Sequence, residues 1–391
     1  MISPTQVRTS IFTCLCWGLF CRQRQNPVCT TTVLTRKRSK QILNQNSGQT
    51  FVFMDSRQAS LQQWLQTIAA NYAIDPESLQ IASADASFRR YFRVACKAQG
   101  QTFIVMDAPP PQEDLGPFVK VAELFGSAGM TTPKIFEQEP QQGFLLLEDF
   151  GSHTYLDVLQ QHTPAAQRVP AASALYREAG KALQAIQQAT RDDQLAPYDA
   201  KRLRDEMELW PTWYIAKHKA KMLSDAQRQV IDEAFDCIIA QCLAQPQVYV
   251  HRDFHSRNLM LLAGDRNPGV LDFQDAVLGP ITYDLVSLWR DAYIAWDEEV
   301  QLDGLIRWWE SSKKLGLPVA ADFPDFWSQF EWMGLQRHLK ILGIFARLNY
   351  RDGKDRYLAD LPVVLSYVLP VLMRYQELSA LADLVIEWLE S

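Results

Sequence analysis

Two carboxylates and one amide stand out for what they could do together. Asp253 and Asn258 lie in His251-Arg252-Asp253-Phe254-His255-Ser256-Arg257-Asn258, and Asp272 follows nineteen residues after Asp253 in Leu271-Asp272-Phe273. Moving a phosphoryl group onto a hydroxyl calls for a carboxylate that takes the hydroxyl proton and for hard oxygen ligands to a magnesium ion bridging the phosphates. In that scheme Asp253 is the proton acceptor, Asn258 a neutral oxygen ligand and Asp272 an anionic one. Asp and Asn are also common turn formers, and a lone carboxylate would read that way. Three such positions in register favour chemistry, because Val248-Tyr249-Val250 leads into His251 and Gly269-Val270-Leu271 leads into Asp272, so that short strands deliver all three to loops.

The elements that must hold these loops follow an α+β pattern. Leu61, Trp64, Leu65 and Ile68 recur at helical spacing behind Asp55 or Ser56, which predicts an amphipathic helix over 55–73. Alternation over 90–95 and the β-rich run 101–106 predict two strands joined through Ala98-Gln99-Gly100. A helix over about 114–128, closed by Gly129, and strands at 133–137 and 143–148 complete a small antiparallel-sheet lobe, expected to span 54–148. After Phe150-Gly151 the chain turns to helical stretches at about 168–189, 201–219, 224–244, 281–297, 299–315 and 324–349, interrupted only by the β-rich island that carries the chemistry. This is a mainly helical second lobe over 149–391. Leu361 to Met373 is apolar, but Pro362 and Pro370 interrupt it and Arg374 follows, so it reads as a broken core helix and not a membrane span.

A chain of 391 residues exceeds what one compact core usually supports. Its 47% hydrophobic and 21% charged residues are those of an ordinary globular protein, and a net charge of −6 argues against a nucleic-acid partner. Residues 1–53 differ, with seven Lys or Arg and no Asp or Glu, which leaves 32 basic against 45 acidic residues over 54–391. This leader fits an organelle transit peptide, a poor secretory signal, or sequence upstream of a true start at Met54, and the last is the expectation here. It holds Cys14, Cys16, Cys21 and Cys29, whose spacing matches no paired zinc motif, whereas Cys96, Cys237 and Cys242 read as scattered buried thiols of a reducing compartment.

His251-Arg252-Asp253 followed by Asn258, with Asp272-Phe273, matches the catalytic loop and metal-binding motif of kinases. With His255, and with Asp284 in Gly279-Pro280-Ile281-Thr282-Tyr283-Asp284-Leu285, the chain resembles the aminoglycoside phosphotransferase and choline kinase superfamily more than protein kinases. Several blocks are similar to the bacterial anomeric kinases of N-acetylmuramate and N-acetylglucosamine: Ser87-Phe88-Arg89-Arg90-Tyr91-Phe92-Arg93, Val105-Met106-Asp107-Ala108-Pro109-Pro110, Leu271-Asp272-Phe273-Gln274-Asp275-Ala276 and Gly334-Leu335-Gln336-Arg337-His338-Leu339-Lys340. The resemblance runs from about Leu61 to the C-terminal helices, which is the reason for placing the start near Met54. It implies a two-lobed, protein-kinase-like fold, ATP and Mg2+ as cofactors, and phosphorylation of a small amino sugar at C1 in cell-wall recycling. It further implies a cytoplasmic monomer with no membrane or nucleic-acid partner.

Two departures from the kinase pattern bear on the nucleotide. Where a glycine-rich loop would cover the phosphates stands Ala84-Asp85-Ala86-Ser87-Phe88-Arg89, so Ser87, Phe88 and Arg89 are the expected phosphate contacts. The strand that should end in a phosphate-binding lysine reads Ile104-Val105-Met106-Asp107, as in the anomeric sugar kinases, and an arginine is expected in its place. Glu123 is either its ion-pair partner or a solvated charge. Leu145 to Phe150 suits the hinge that holds adenine through its backbone, with Glu148 and Asp149 at the nucleotide, and it suits a core strand equally well.

For the acceptor, Glu206 and Trp213 in an acidic and aromatic stretch suit sugar hydroxyls and ring faces, with core packing as the alternative. Asp275, Arg337 and His338 complete the expected substrate set, Arg337 as a partner for a lactyl carboxylate or else an interlobe salt bridge. Other small-alcohol kinases, acting on an aminoglycoside, choline or homoserine, remain open, as does a nucleotide-binding pseudokinase. A protein kinase is disfavoured, because the chain passes almost directly from Asp272 to Gly279-Pro280 without an activation loop.

Overall fold

The computed structural model describes residues 56–84, 88–97 and 100–390. The basic leader with its four cysteines, Ser87 and the Ala98-Gln99 turn lie outside the described residues. The chain divides into two compact units, residues 1–64 and 65–391. Of the first, the structure describes the opening half of α1 (Ser56–Tyr72), where the periodicity predicts a helix.

In the second unit, five antiparallel strands form one sheet in the order β1-β2-β3-β5-β4: β1 (Gln80–Ala84), β2 (Arg90–Ala95), β3 (Thr102–Asp107), β4 (Ile135–Glu139) and β5 (Phe144–Glu148). The register sets Val105 opposite Phe92 on one side and Leu146 on the other, so the apolar residues of β3 and β5 stack in the sheet's centre. Arg90 faces Asp107 across β2 and β3 and pairs with its fully buried carboxylate at 2.6 Å. The turn into β5 needs Gly143, whose φ is +74° and where a Cβ would stand 2.0 Å from the Ala108 carbonyl oxygen. Helix α2 (Gly116–Ser127) buries Phe118, Val121, Ala122 and Phe125, and it ends ahead of Gly129 at φ +95°, as the sequence suggested.

The helical part contains α3 (Tyr155–Gln161), α4 (Arg168–Gln188), α5 (Ala200–Met207), α6 (Asp225–Leu243), α7 (Tyr283–Trp289), α8 (Glu298–Lys314), α9 (Phe323–Asp352), α10 (Leu361–Arg374) and α11 (Ser379–Glu390). Its spine is the 30-residue α9, which Asp322 caps through the Asp325 N–H and which Gly353 closes at φ +67°. Such a sheet lobe joined to a larger helical lobe is the α+β, protein-kinase-like arrangement expected.

Four details differ from the expectation. The predicted helix over 201–219 is α5 followed by a π-helix, Trp210–His218, that starts around Pro211, a residue with no N–H to give to an α-helical ladder. The predicted helix over 281–297 stops at Trp289, because the Asp291 carboxylate takes the Tyr293 N–H at 3.0 Å and draws the chain into a turn. Helix α10 is continuous, with Pro362 in its first turn and Pro370 inside. Together with the short 3-10 turn before it, Asp355–Arg374 is long and apolar enough to cross a membrane, and it buries Val364, Tyr367, Val368, Val371 and Leu372 as a core helix does. The β-rich island holds four short strands in two pairs: β6 (Gln247–Val250) with β9 (Val277–Pro280), and β7 (Leu259–Met260) with β8 (Gly269–Val270).

Candidate active site

These two strand pairs place the chemistry. Asp253 and Asn258 occupy the loop from β6 to β7, and Asp272 the loop from β8 to β9. The loops are tied to each other: His251 Nε2 meets the Leu271 carbonyl at 3.0 Å, and the Leu271 N–H donates to the Asn258 carbonyl at 2.9 Å. Asn258 Nδ2 donates to the Asp253 carbonyl at 2.9 Å and reaches the Asp272 carboxylate at 3.4 Å, while Gln274 Nε2 holds the other Asp272 oxygen at 2.7 Å. The three sequence candidates therefore converge on one spot.

Holding them there strains the backbone. Arg252 and Asp272 sit at φ +79° and +63°, a region that costs a non-glycine residue about 1–3 kcal/mol unless its surroundings impose it. For Arg252 the imposing group is Asp284, at the start of α7. Its fully buried carboxylate accepts the His251 N–H at 2.7 Å and the Arg252 N–H at 3.0 Å. Asp291, just beyond the end of α7, grips the far side of the same loop, accepting from the Ser256 N–H at 3.0 Å and the Ser256 hydroxyl at 2.5 Å. One short helix thus clamps the Asp253 loop at both ends.

Positive charge gathers beneath it. The Arg337 guanidinium donates to the Arg252 carbonyl at 3.0 Å and lies 3.8 Å from the Asp253 carboxylate. Lys340 pairs with Glu206 at 3.1 Å, and Glu206 is also bound by the Arg252 guanidinium and the Tyr198 hydroxyl. Burial alone would push the Asp253 carboxyl up, but the charges of Lys340, Arg337, His255 and Arg252 outweigh it and hold the carboxyl at about 2. The Asp253 side chain is 38% exposed, so this permanent carboxylate faces the cleft and not the core. His251, fully buried, is pushed down by burial to about 4 and stays neutral as a loop-orienting hydrogen bonder.

A cleft of about 910 Å³ opens over these groups. At one end Tyr91, Ile104 and Leu147 of the sheet face Phe150, and at the other Arg257, Tyr293 and Phe345 line the helical side, with Asp253, Asn258 and Asp272 between. Among the described residues no three His, Cys, Asp or Glu side chains form an all-protein metal cage. Asn258 and Asp272 offer instead two oxygen donors, which fits a magnesium ion that completes its octahedron with phosphate and water.

The other sequence candidates separate. Glu148 and Asp149 line the cleft, each already paired: Glu148 with Arg266 at 2.7 Å, Asp149 with Arg93 at 2.5 Å and the Thr102 hydroxyl at 2.7 Å. Arg89 instead pairs with Glu113 at 3.0 Å and Phe88 is exposed, neither at the cleft wall, while Glu123 is a surface charge. On the acceptor side only Arg337 reaches the cleft. Glu206 is turned inward as the counter-ion of Arg252 and Lys340, Trp213 packs half-buried against the core, and Asp275 is exposed, with its carbonyl accepting from Arg252 at 3.4 Å. His338 lies inside the helical core, against the Arg290 carbonyl at 3.0 Å and stacked on Tyr367, and burial pushes it down to about 3. Arg93, Arg257 and Tyr293 line the cleft without having been singled out. Arg93 was visible in the Ser87-to-Arg93 block, and Arg257 occupies a variable position of the motif, which hides it.

A sheet joined to a helical body, with an ionised carboxylate and two metal-suited oxygens in the cleft between, is the architecture of a small-molecule phosphotransferase, and the chain belongs to the phosphotransferase enzyme family, whose profile matches residues 78–323. It is 46% identical over 331 residues to the N-acetylmuramate/N-acetylglucosamine kinase of Neisseria meningitidis serogroup B, covering 85% of this chain and 96% of that protein. To the N-acetylmuramate/N-acetylglucosamine kinase of Pseudomonas aeruginosa it is 42% identical over 338 residues, with the same coverage, 85% and 96%. Among solved structures, an ethanolamine kinase from Plasmodium vivax superposes with a TM-score of 0.56 at 10% identity, over 82% of this chain and 92% of that one. A choline kinase from Streptococcus pneumoniae gives 0.55 at 11%, over 79% and 99%. These two likenesses concern the fold.

Proposed function

We propose that this protein is an ATP-dependent kinase of the anomeric C1 hydroxyl of N-acetylmuramate or N-acetylglucosamine, serving cell-wall sugar recycling in the cytoplasm as a monomer. The observation that carries the reading is the convergence of Asp253, Asn258 and Asp272 in one cleft, in a chain 46% identical to a kinase named for those two sugars. In this reading the sheet lobe, 54–148, holds the nucleotide and the helical lobe, 149–391, holds the acceptor. Adenine lies against Ile104 and Leu147, with the backbone near Glu148 and Asp149 at its edge. Arg93, the cation that the described sheet strands present to the cleft, stands in for the missing lysine.

Asp253 then accepts the C1 hydroxyl proton and aims the oxygen along the line of transfer. Asn258 and Asp272 would hold a magnesium ion, which neutralises charge on the phosphate oxygens when bound. Most of the acceleration comes from alignment and preorganised charge, for which the doubly clamped Asp253 loop is suited. A cationic acceptor such as choline or an aminoglycoside is disfavoured by Arg257, Arg337 and Lys340 at the acceptor end.

The test is a coupled ADP assay with a panel of N-acetylmuramate, N-acetylglucosamine, choline, homoserine and an aminoglycoside, on wild type and Asp253→Asn. ADP release on the two sugars, lost in the variant, is expected; turnover confined to a cationic acceptor, or unchanged by Asp253→Asn, overturns the reading.

A further inference from the structure

Most arginines around this site already have a partner. Arg93 is paired with Asp149, Arg252 with Glu206, Arg266 with Glu148, and Arg337 is folded under the Asp253 loop against the Arg252 carbonyl and Tyr283. Arg337 was the natural candidate for meeting an anionic acceptor, but its guanidinium is 96% covered and already engaged. Arg257 differs. It is exposed, it lines the helical end of the cleft, and among the described residues no carboxylate lies within ion-pair distance of it. The half-buried Asp360 feels its charge only from further away.

The Arg257 guanidinium is nonetheless fixed. Its central carbon lies 3.5 Å from the centroid of the Tyr293 ring. Tyr293 is held in turn by the Asp291 carboxylate on its N–H, by an edge contact to His255 and by packing against Phe345. A guanidinium seated on an aromatic face uses that face for the ring and keeps its in-plane N–H edge for a carboxylate, with little rotamer freedom left to lose on binding. Arg257 also belongs to the loop that carries Asp253, and the charges of both reach the intervening His255. One rigid loop therefore presents a proton acceptor and a free, oriented guanidinium to the same acceptor. Of the carboxylates lining the cleft, Asp253 and Asp272 belong to the reaction centre, Glu148 and Asp149 are paired, and Asp157 caps α3 through Thr154, so none forms an ion pair with Arg257.

We infer that Arg257, seated on Tyr293, is the carboxylate-recognising side chain of the acceptor site and sets the preference for a carboxylated sugar over its neutral counterpart. This rests on the sugar-kinase reading above. N-acetylmuramate is N-acetylglucosamine with a lactyl ether at O3, so the two acceptors share the reacting hydroxyl and differ by the one group that Arg257 would read.

The experiment compares kcat/KM for the two sugars in wild type, Arg257→Gln and Arg257→Lys, with dissociation constants for both sugars from calorimetry alongside. The ratio of N-acetylmuramate to N-acetylglucosamine is expected to fall about ten- to a hundredfold in Arg257→Gln, the range for losing a charge-assisted bidentate contact. In Arg257→Lys, which keeps the charge and loses the fork, the fall is smaller. A ratio that stays put overturns the assignment, whether both activities hold or both drop together; if turnover is lost altogether, the ratio of dissociation constants decides in the same way. Failure of the wild type on both sugars would instead overturn the proposed function, so the two failures are told apart.

Discussion

Arg337 stands 3.8 Å from Asp253, and its guanidinium is buried while the carboxylate opens on the cleft. Although burial favours the neutral carboxyl, Arg337 and Lys340 keep Asp253 ionised to about pH 2. A base depressed this far is present in full at every pH above that value and is lost only as pH falls through it. Wild-type kcat/KM should therefore show no acid limb from Asp253 between pH 4 and 8. Arg337→Gln removes one cation from the set and lets the Asp253 value rise, so an acid limb should appear between about pH 3 and 5, with kcat/KM at pH 4 reduced relative to pH 7 while wild type stays level. A profile that only scales down, with its shape unchanged, would mean that Arg337 acts by packing.

Asp284 makes a second, oppositely signed prediction. Burial pushes its carboxyl up to about 7, although the His251 and Arg252 N–H groups favour the anion. A folded value above the ordinary carboxyl value means that the native state holds a proton the unfolded chain has lost. That contribution to stability is complete below about pH 4 and fades as pH rises toward 7. Urea midpoints of the wild type should decline across this window relative to those of Asp284→Asn. The variant, with one acceptor oxygen where the loop needs two, should also lose at least tenfold in kcat.

The convergence of Asp253, Asn258 and Asp272 was legible in the sequence because they lie in short segments behind apolar strands, and local order alone brings them together. Strands β2 to β6 and β8, and helices α4, α6, α8 and α9, were legible from their apolar patterns, whereas β1, β7 and β9 went unread, β7 being two residues long and β1 carrying one large apolar side chain. What could not be read depends on distant partners. Nothing local tells that Glu206 faces Arg252 and Lys340, or that His338 turns inward to Tyr367, since an acidic or histidine residue on a helix reads alike on either face. Helix α7 was overextended because its end is set by Asp291, whose carboxylate serves Ser256 and Tyr293 instead of continuing the helix. Helix α3 is only 7 residues long, and its one local signature is the Thr154 and Asp157 capping box.

Gly343 lets α9 touch the π-helix region. A Cβ there would stand 2.3 Å from the Leu209 carbonyl carbon, which is backbone and has no rotamer by which to move. Gly343→Ala should gain slightly in helix propensity and lose far more in forced separation, for a net cost of about 2–3 kcal/mol. Thermal unfolding should drop by about 2–4 °C at this chain length. A Tm within a degree of wild type would show that the two segments can slide apart freely.

Arg93 and Asp149 supply the last test, because the proposed reading gives Arg93 the place of a lysine that the strand Ile104-Val105-Met106-Asp107 does not provide. Arg93 grips Asp149 through two nitrogens, at 2.5 and 3.0 Å, and Thr102 steadies the same carboxylate at 2.7 Å. The pairing holds Asp149 ionised, since the bonds from Arg93, Thr102 and the Gly151 N–H outweigh its burial. Arg93→Met leaves that carboxylate facing the nucleotide without its cation. The change should repel the phosphates as well as remove an attraction, raising the KM for ATP about tenfold or more while the sugar KM stays within twofold. Arg93→Met with Asp149→Asn removes both charges and should recover part of that loss. If the single and double variants bind ATP equally well, the phosphate cation must be sought elsewhere in the cleft, and Lys340 is then the next side chain to substitute.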